Sequence, residues 1–159
     1  MEIVVADLAR EAHRRAVVAL TAAYALDPMG NGGPLPPEVL ERLADELRGF
    51  PTTLIFLAYD GDAAIGIATC FLGFSTFAAR PLVNVHDLAV LPERRGAGVA
   101  TRLLAAVEAR ARELGCCKVT LEVLENNHPA RRLYHRAGFA QATYTEAAGG
   151  GLFYAKSLK

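Results

Sequence analysis

The apolar positions of this chain switch between continuous or alternating runs and runs that repeat every three to four residues, and each switch marks an element. Residues 2–6, Glu-Ile-Val-Val-Ala, predict a short strand. Asp7 is placed to cap a helix that runs to about Leu26. The stretch Asp27-Pro28-Met29-Gly30-Asn31-Gly32-Gly33-Pro34 is dense in breakers and predicts a loop. Pro36 and Pro37 suit the first turn of a second helix. Leu40, Leu43 and Leu47 give that helix an apolar stripe, and Gly49 ends it.

The middle of the chain reads as strands at 52–59 and 63–74, joined by a turn at Asp60-Gly61-Asp62, and at 82–91, ending at Pro92. From Ala97 the period lengthens. Val99, Ala100, Leu103, Leu104, Val107, Ala111 and Leu114 share one arc of a helix that Gly115 stops. Residues 118–124 predict another strand. Ala130, Leu133, Tyr134 and Ala137 recur at helical spacing, from near Asn127-His128-Pro129 to Gly138. Two last strands, roughly 139–146 and 151–158, flank Gly149-Gly150-Gly151. The order β α α β β β α β α β β predicts one α/β (α+β mixed) domain over 1–159. A single β-α-β crossover makes 82–91 and 118–124 parallel, with their carboxyl ends near the helix that opens at Gly96.

Composition narrows the partners. The chain has 159 residues, 52% of them hydrophobic, which is enough to bury a core. Lys+Arg and Asp+Glu both number 17, so no nucleic-acid partner is expected. No apolar stretch approaches the ~20 residues of a membrane helix, so no membrane partner is expected. The N-terminus lacks the basic and long apolar regions of a secretory leader. Cys70, Cys116 and Cys117 are odd in number and form no CxxC pair, which predicts no disulfide framework and fits a cytoplasmic setting. Cys116 and Cys117 begin their strand at the end away from the Gly-rich loop, which argues against a cysteine nucleophile. Four scattered histidines form no metal constellation, and His13, His128 and His135 read as solvated.

One segment carries specific chemistry. Residues 88–101 run from a buried strand through Pro92-Glu93-Arg94-Arg95-Gly96-Ala97-Gly98 into an amphipathic helix. Glycines let backbone approach a ligand closely, and the first N–H groups of a helix attract anions. This builds a diphosphate site, with Arg94 or Arg95 adding a positive charge. A Walker loop would need Gly-Lys-Ser/Thr here, and a dinucleotide fingerprint would put Thr101 where a small residue belongs.

Arg95-Gly96-Ala97-Gly98-Val99-Ala100 resembles the acyl-CoA loop [Arg/Gln]-x-x-Gly-x-[Gly/Ala]. Residues 127–139 resemble Asn-x-x-Ala-x-x-Leu-Tyr-x-x-x-Gly-Phe. Together the two resemble the GNAT acyltransferase superfamily over about residues 82–140. The resemblance implies a GNAT fold: a twisted mixed sheet of six to seven strands, flanked by about four helices and splayed between its two parallel strands. It implies acetyl-CoA as co-substrate, without a metal. The main chain of Leu88, Ala89 and Val90 would hold the pantetheine arm. The backbone of Gly96, Ala97, Gly98, Val99, Ala100 and Thr101 would hold the diphosphate, with Arg95 alongside. Asn127 and Ala130 would contact the cofactor arm, and Tyr134 would protonate the departing thiolate. Dimers are common in the superfamily, which leaves a homodimer open.

Glu122, on a strand expected to be central and buried on both faces, is the expected base, with His86 as the fallback and Asp87 a further rival. Polyamine-acetylating members resemble this chain with Glu-Asp in place of His86-Asp87. Only one of these two side chains faces the cleft unless a bulge intervenes. Asp87 also suits the binding of a cationic substrate. The expected activity is direct acetyl transfer to a primary amine of a small molecule, in a bacterial cytoplasm. A protein N-terminus or lysine is the alternative acceptor, and a non-catalytic acyl-CoA-binding regulatory module is the alternative of another class.

Overall fold

The computed structural model describes residues 1–143 and 145–158, which fall into two compact units, one over Met1–Leu124 and one from Glu125 onward. The first unit contains β1 (Glu2–Val5), α1 (Glu11–Ala25), α2 (Pro37–Gly49), β2 (Thr53–Asp60), β3 (Ala63–Ser75), β4 (Arg80–Val90), α3 (Val99–Glu113) and β5 (Val119–Leu121). The strands lie in the order β1-β2-β3-β4-β5; β4 and β5 run parallel and the others antiparallel.

The two faces of the sheet are read from side-chain alternation. Ile55, Leu57 and Ile67 pack with Ala16, Val17 and Leu20 of α1. The intervening Gly66 lies under α3. A Cβ there would stand 3.0 Å from Val99 Cγ1 and 3.3 Å from Leu103 Cδ1, so glycine lets that helix settle on the sheet. Along α1 the buried His13, Ala16, Val17 and Leu20 have the expected spacing; along α3 so do Val99, Leu103, Leu104, Val107 and Ala111.

Helix α1 starts at Glu11, later than Asp7 predicted. The Asp7 carboxylate instead accepts the Ala9 N–H at 2.9 Å, closing a local turn. His13 is buried, not solvated, because its Nδ1 accepts the Asp7 N–H at 2.9 Å. Helix α3 starts at Val99 rather than Ala97, after a short 3-10 turn over Pro92–Arg94.

The second unit holds α4 (His128–Arg136) and a 3-10 turn over Glu146–Ala148. The two predicted last strands are absent among the described residues; Tyr144, inside the first, lies outside them. One antiparallel bridge joins Thr143 to Gly150, and Gly151 N–H bonds Ala142 O at 3.0 Å. Three glycines and several alanines offer little side chain to pack on a pleated surface. Among the described residues the sheet has five strands, where six to seven were expected.

Candidate functional site

Strand β4 is where the chemistry collects. Its ladder with β3 runs from Gly66–Val90 to Ser75–Arg80, with a register shift at Thr69/Cys70. Thr69 pairs with Asp87 and Cys70 pairs with Val85, so His86 is the extra residue of a β-bulge. The bulge resolves the choice between His86 and Asp87. Phe71 lies on the α1 face, in step with Ile67, and the His86 ring packs against it with centroids 5.6 Å apart. Asp87 pairs with Thr69 on that same face, and its charge is felt by the Tyr24 hydroxyl at the end of α1. Both residues therefore face α1, which strict alternation forbids. Phe50 extends the aromatic row, edge-on to Phe71 at 5.5 Å.

Burial sets the charges here. Asp87 is half-buried, and desolvation holds its carboxyl above the usual carboxylate range, with the neighbouring His86 pulling the other way. Burial, and then the carboxylates of Asp87 and Asp27, push the Tyr24 hydroxyl up. Burial, with Asp87 adding to it, also pushes the Cys70 thiol to about 12, which leaves it inert as a nucleophile.

On its other edge β4 is open. Val83, Asn84 and Val85 pair with Val119, Thr120 and Leu121, and the Asn84 amide donates to Thr120 Oγ1 at 3.1 Å. Among the described residues the β4–β5 ladder goes no further, so no strand pairs with that edge of Leu88, Ala89 and Val90. This is the opening that the family resemblance leads one to expect.

Beyond Val90, Gly96 and Gly98 have φ of 79° and 78°, the left-handed region open to glycine, and a Cβ at either would meet nothing within 4 Å. Gly98 caps α3 and offers no side chain to do so. The first intrahelical bond runs from Arg102 N–H to Gly98 O, so the N–H groups of Val99, Ala100 and Thr101 have no partner within the helix. Val99 buries its side chain. This exposed cradle of amides fits a diphosphate. The arginines are already paired. Arg94 holds Asp60 at 2.8 Å; Arg95 holds Asp27 at 2.6 Å and donates to Val90 O at 3.1 Å.

Glu122 departs from its prediction. Strand β5 ends at Leu121, and Glu122 follows it as an exposed residue rather than a carboxylate within a buried strand. In the second unit, Asn127 Oδ1 accepts the Ala130 N–H at 3.2 Å and caps α4, which engages both residues locally. Tyr134 is half-buried, with its ring edge-on to Phe139 at 6.0 Å. Tyr24 and Asp27 were not singled out by sequence. Their only signal is their place at the end of α1, and Arg95 lies 68 positions away from Asp27.

Residues 18–139 match the acetyltransferase (GNAT) family. Thialysine N-epsilon-acetyltransferase of Bos taurus is 30% identical over 86 residues, 54% of this chain and 50% of that protein. The chain spans about half the length of the curated relatives it matches. A crystal structure of a probable acetyltransferase superposes with a TM-score of 0.83 at 22% identity, covering 99% of this chain and 100% of that one. AAC(6')-Iy in complex with a bisubstrate analogue, CoA-S-monomethyl-acetylneamine, superposes with a TM-score of 0.74 at 19% identity, covering 99% and 100%.

Proposed function

The chain belongs to the acetyltransferase (GNAT) family, and from that premise we propose that it transfers an acetyl group from acetyl-CoA to a primary amine of a small molecule, by direct attack in a ternary complex. The observation that carries this reading is the opening along β4. The strand leaves β5 after Val85, stays paired with β3 to Val90, and runs directly into the amide cradle at the start of α3. The thialysine enzyme and the CoA-bisubstrate complex among the similar proteins support an amine acceptor and a CoA donor.

Acetyl-CoA supplies the thioester carbonyl that the amine attacks and the thiolate that departs. The amides from Gly96 to Thr101 hold the diphosphate, and the free edge of Leu88, Ala89 and Val90 aligns the arm. A primary amine with a pKa of about 10 arrives protonated at pH 7. Asp87, with Tyr24 beside it, receives the ammonium and takes its proton. Its raised pKa brings it closer to neutrality, where a general base works best. His86, on the same face, is the second proton acceptor. Glu122, exposed past the end of β5, is the weaker choice. The Tyr134 hydroxyl gives its proton to the leaving sulfur.

A thiol-release assay with acetyl-CoA against a panel of small amines tests the reading. Turnover is expected, and Tyr134→Phe, which keeps the ring, should lower kcat by about 10²–10⁴. CoA binding without turnover on any amine, peptide N-terminus or lysine would identify a binding module instead.

A further inference from the structure

The two loops that frame the opening are pinned to each other by one ion pair. Arg95 lies in the phosphate loop. Its Nε donates to Val90 O at the end of β4, and its Nη2 holds Asp27 Oδ2 at 2.6 Å. Asp27 begins the loop between α1 and α2 and organises it. Its Oδ1 accepts the Met29 N–H at 2.7 Å, and its carbonyl accepts from Gly30 and Gly32 N–H. Gly30 packs so closely that a Cβ would stand 2.2 Å from Tyr24 O, so this loop has one compact path. The Asp27 side chain is only 16% exposed, whereas that of Arg95 is 53% exposed. The carboxylate is the fixed end of the pair and the arginine is what it holds in place. The Met29 amide and Arg95 hold the Asp27 carboxyl below the usual carboxylate range, so the pair stays charged at working pH.

We propose that Asp27 is a positioning residue: through Arg95 it braces the phosphate loop against the end of β4 and ties CoA binding to the loop between α1 and α2. Arg95 then acts chiefly by holding the loop that presents the amides, not by its charge on the diphosphate. This rests on the reading that the loop binds CoA.

The sign of one measurement separates the brace from simple electrostatics. By charge alone, removing an anion near a diphosphate site should tighten CoA binding. The brace predicts the opposite. Asp27→Asn, which keeps an acceptor for the Met29 N–H, should weaken CoA in calorimetry by about threefold to tenfold, allowing for screening at a half-exposed guanidinium. In an Arg95→Ala background the same change should have no further effect. Arg95→Lys keeps the charge but lacks the fork that reaches carbonyl and carboxylate together. It should weaken CoA nearly as much as Arg95→Ala, and it tests the brace independently should Asp27→Asn fold poorly. The KM for acetyl-CoA should rise by a larger factor than kcat falls. Tighter or unchanged CoA binding in Asp27→Asn, or a near-normal Arg95→Lys, overturns the brace. Gly98→Val, which strains a residue at φ 78° and projects into the cradle, reports on the underlying reading. If it leaves CoA binding intact, the phosphate loop is misplaced. If it abolishes binding while Asp27→Asn is neutral, only the brace fails.

Discussion

On its β3 side, β4 is laddered from Arg80 to Val90, with one bulge at His86; on its β5 side the ladder stops at Val85. The two edges of one strand thus do different work. The β3 edge belongs to a continuous sheet whose Ile55, Leu57 and Ile67 are almost wholly buried against α1. The β5 edge leaves backbone without a strand partner next to a carboxylate that burial disfavours in its charged form. Laddered backbone supports the fold, while an edge without a strand partner and a desolvated acid cost stability, a cost that the proposed function would explain.

Substitutions on the two sides should therefore separate stability from chemistry. The largest expected effect lies on the open side. Asp87→Asn should lower kcat by about 10²–10⁴ with the best amine of a panel, and a kcat within threefold of wild type would pass the role of base to His86. On the laddered side, Ile67→Ala should cost about 2–5 kcal/mol in urea unfolding by leaving a cavity between β3 and α1, while the folded variant still binds CoA. Loss of CoA affinity in proportion to stability would erase the contrast.

A smaller effect concerns Asp87 and pH. Folding raises its pKa above the unfolded value of about 3.9. The stability it contributes is thus complete below about pH 4 and lost as pH rises through the folded-state value. At pH 7 the ionised, desolvated carboxylate is a cost that Asn removes. The Asp87→Asn melting temperature should exceed wild type by about 2–4 °C at pH 7, and the curves should converge toward pH 4. A lower melting temperature at pH 7 would make this carboxylate structural. The smallest effect is expected at Glu122, where Glu122→Gln should leave kcat within about threefold, because an exposed carboxylate is screened and readily replaced by water.

Much of this was legible in the sequence where the cause is local. The helical arc of Val99, Leu103, Leu104 and Val107 and the Gly-rich entry to α3 depend on neighbours a few residues away. The features that sequence did not reveal are decided across the fold. The bulge at His86 depends on pairing with Thr69 and Cys70. The short β5, and with it the position of Glu122, depends on where the parallel ladder stops. His13 is buried because Asp7 N–H needs an acceptor, which its polar sequence neighbours concealed. The Asp27–Arg95 pair has no local signature at all.

The bulge at His86 also behaves as a reading frame. Every residue of β4 beyond it is presented in the phase opposite to that set by Val83 and Val85. Deleting His86 would leave Val85 and Asp87 adjacent in a regular ladder, with Asp87 still opposite Thr69 and still facing α1. What the deletion would remove is the doubling, two successive side chains offered on one face, which strict alternation cannot supply.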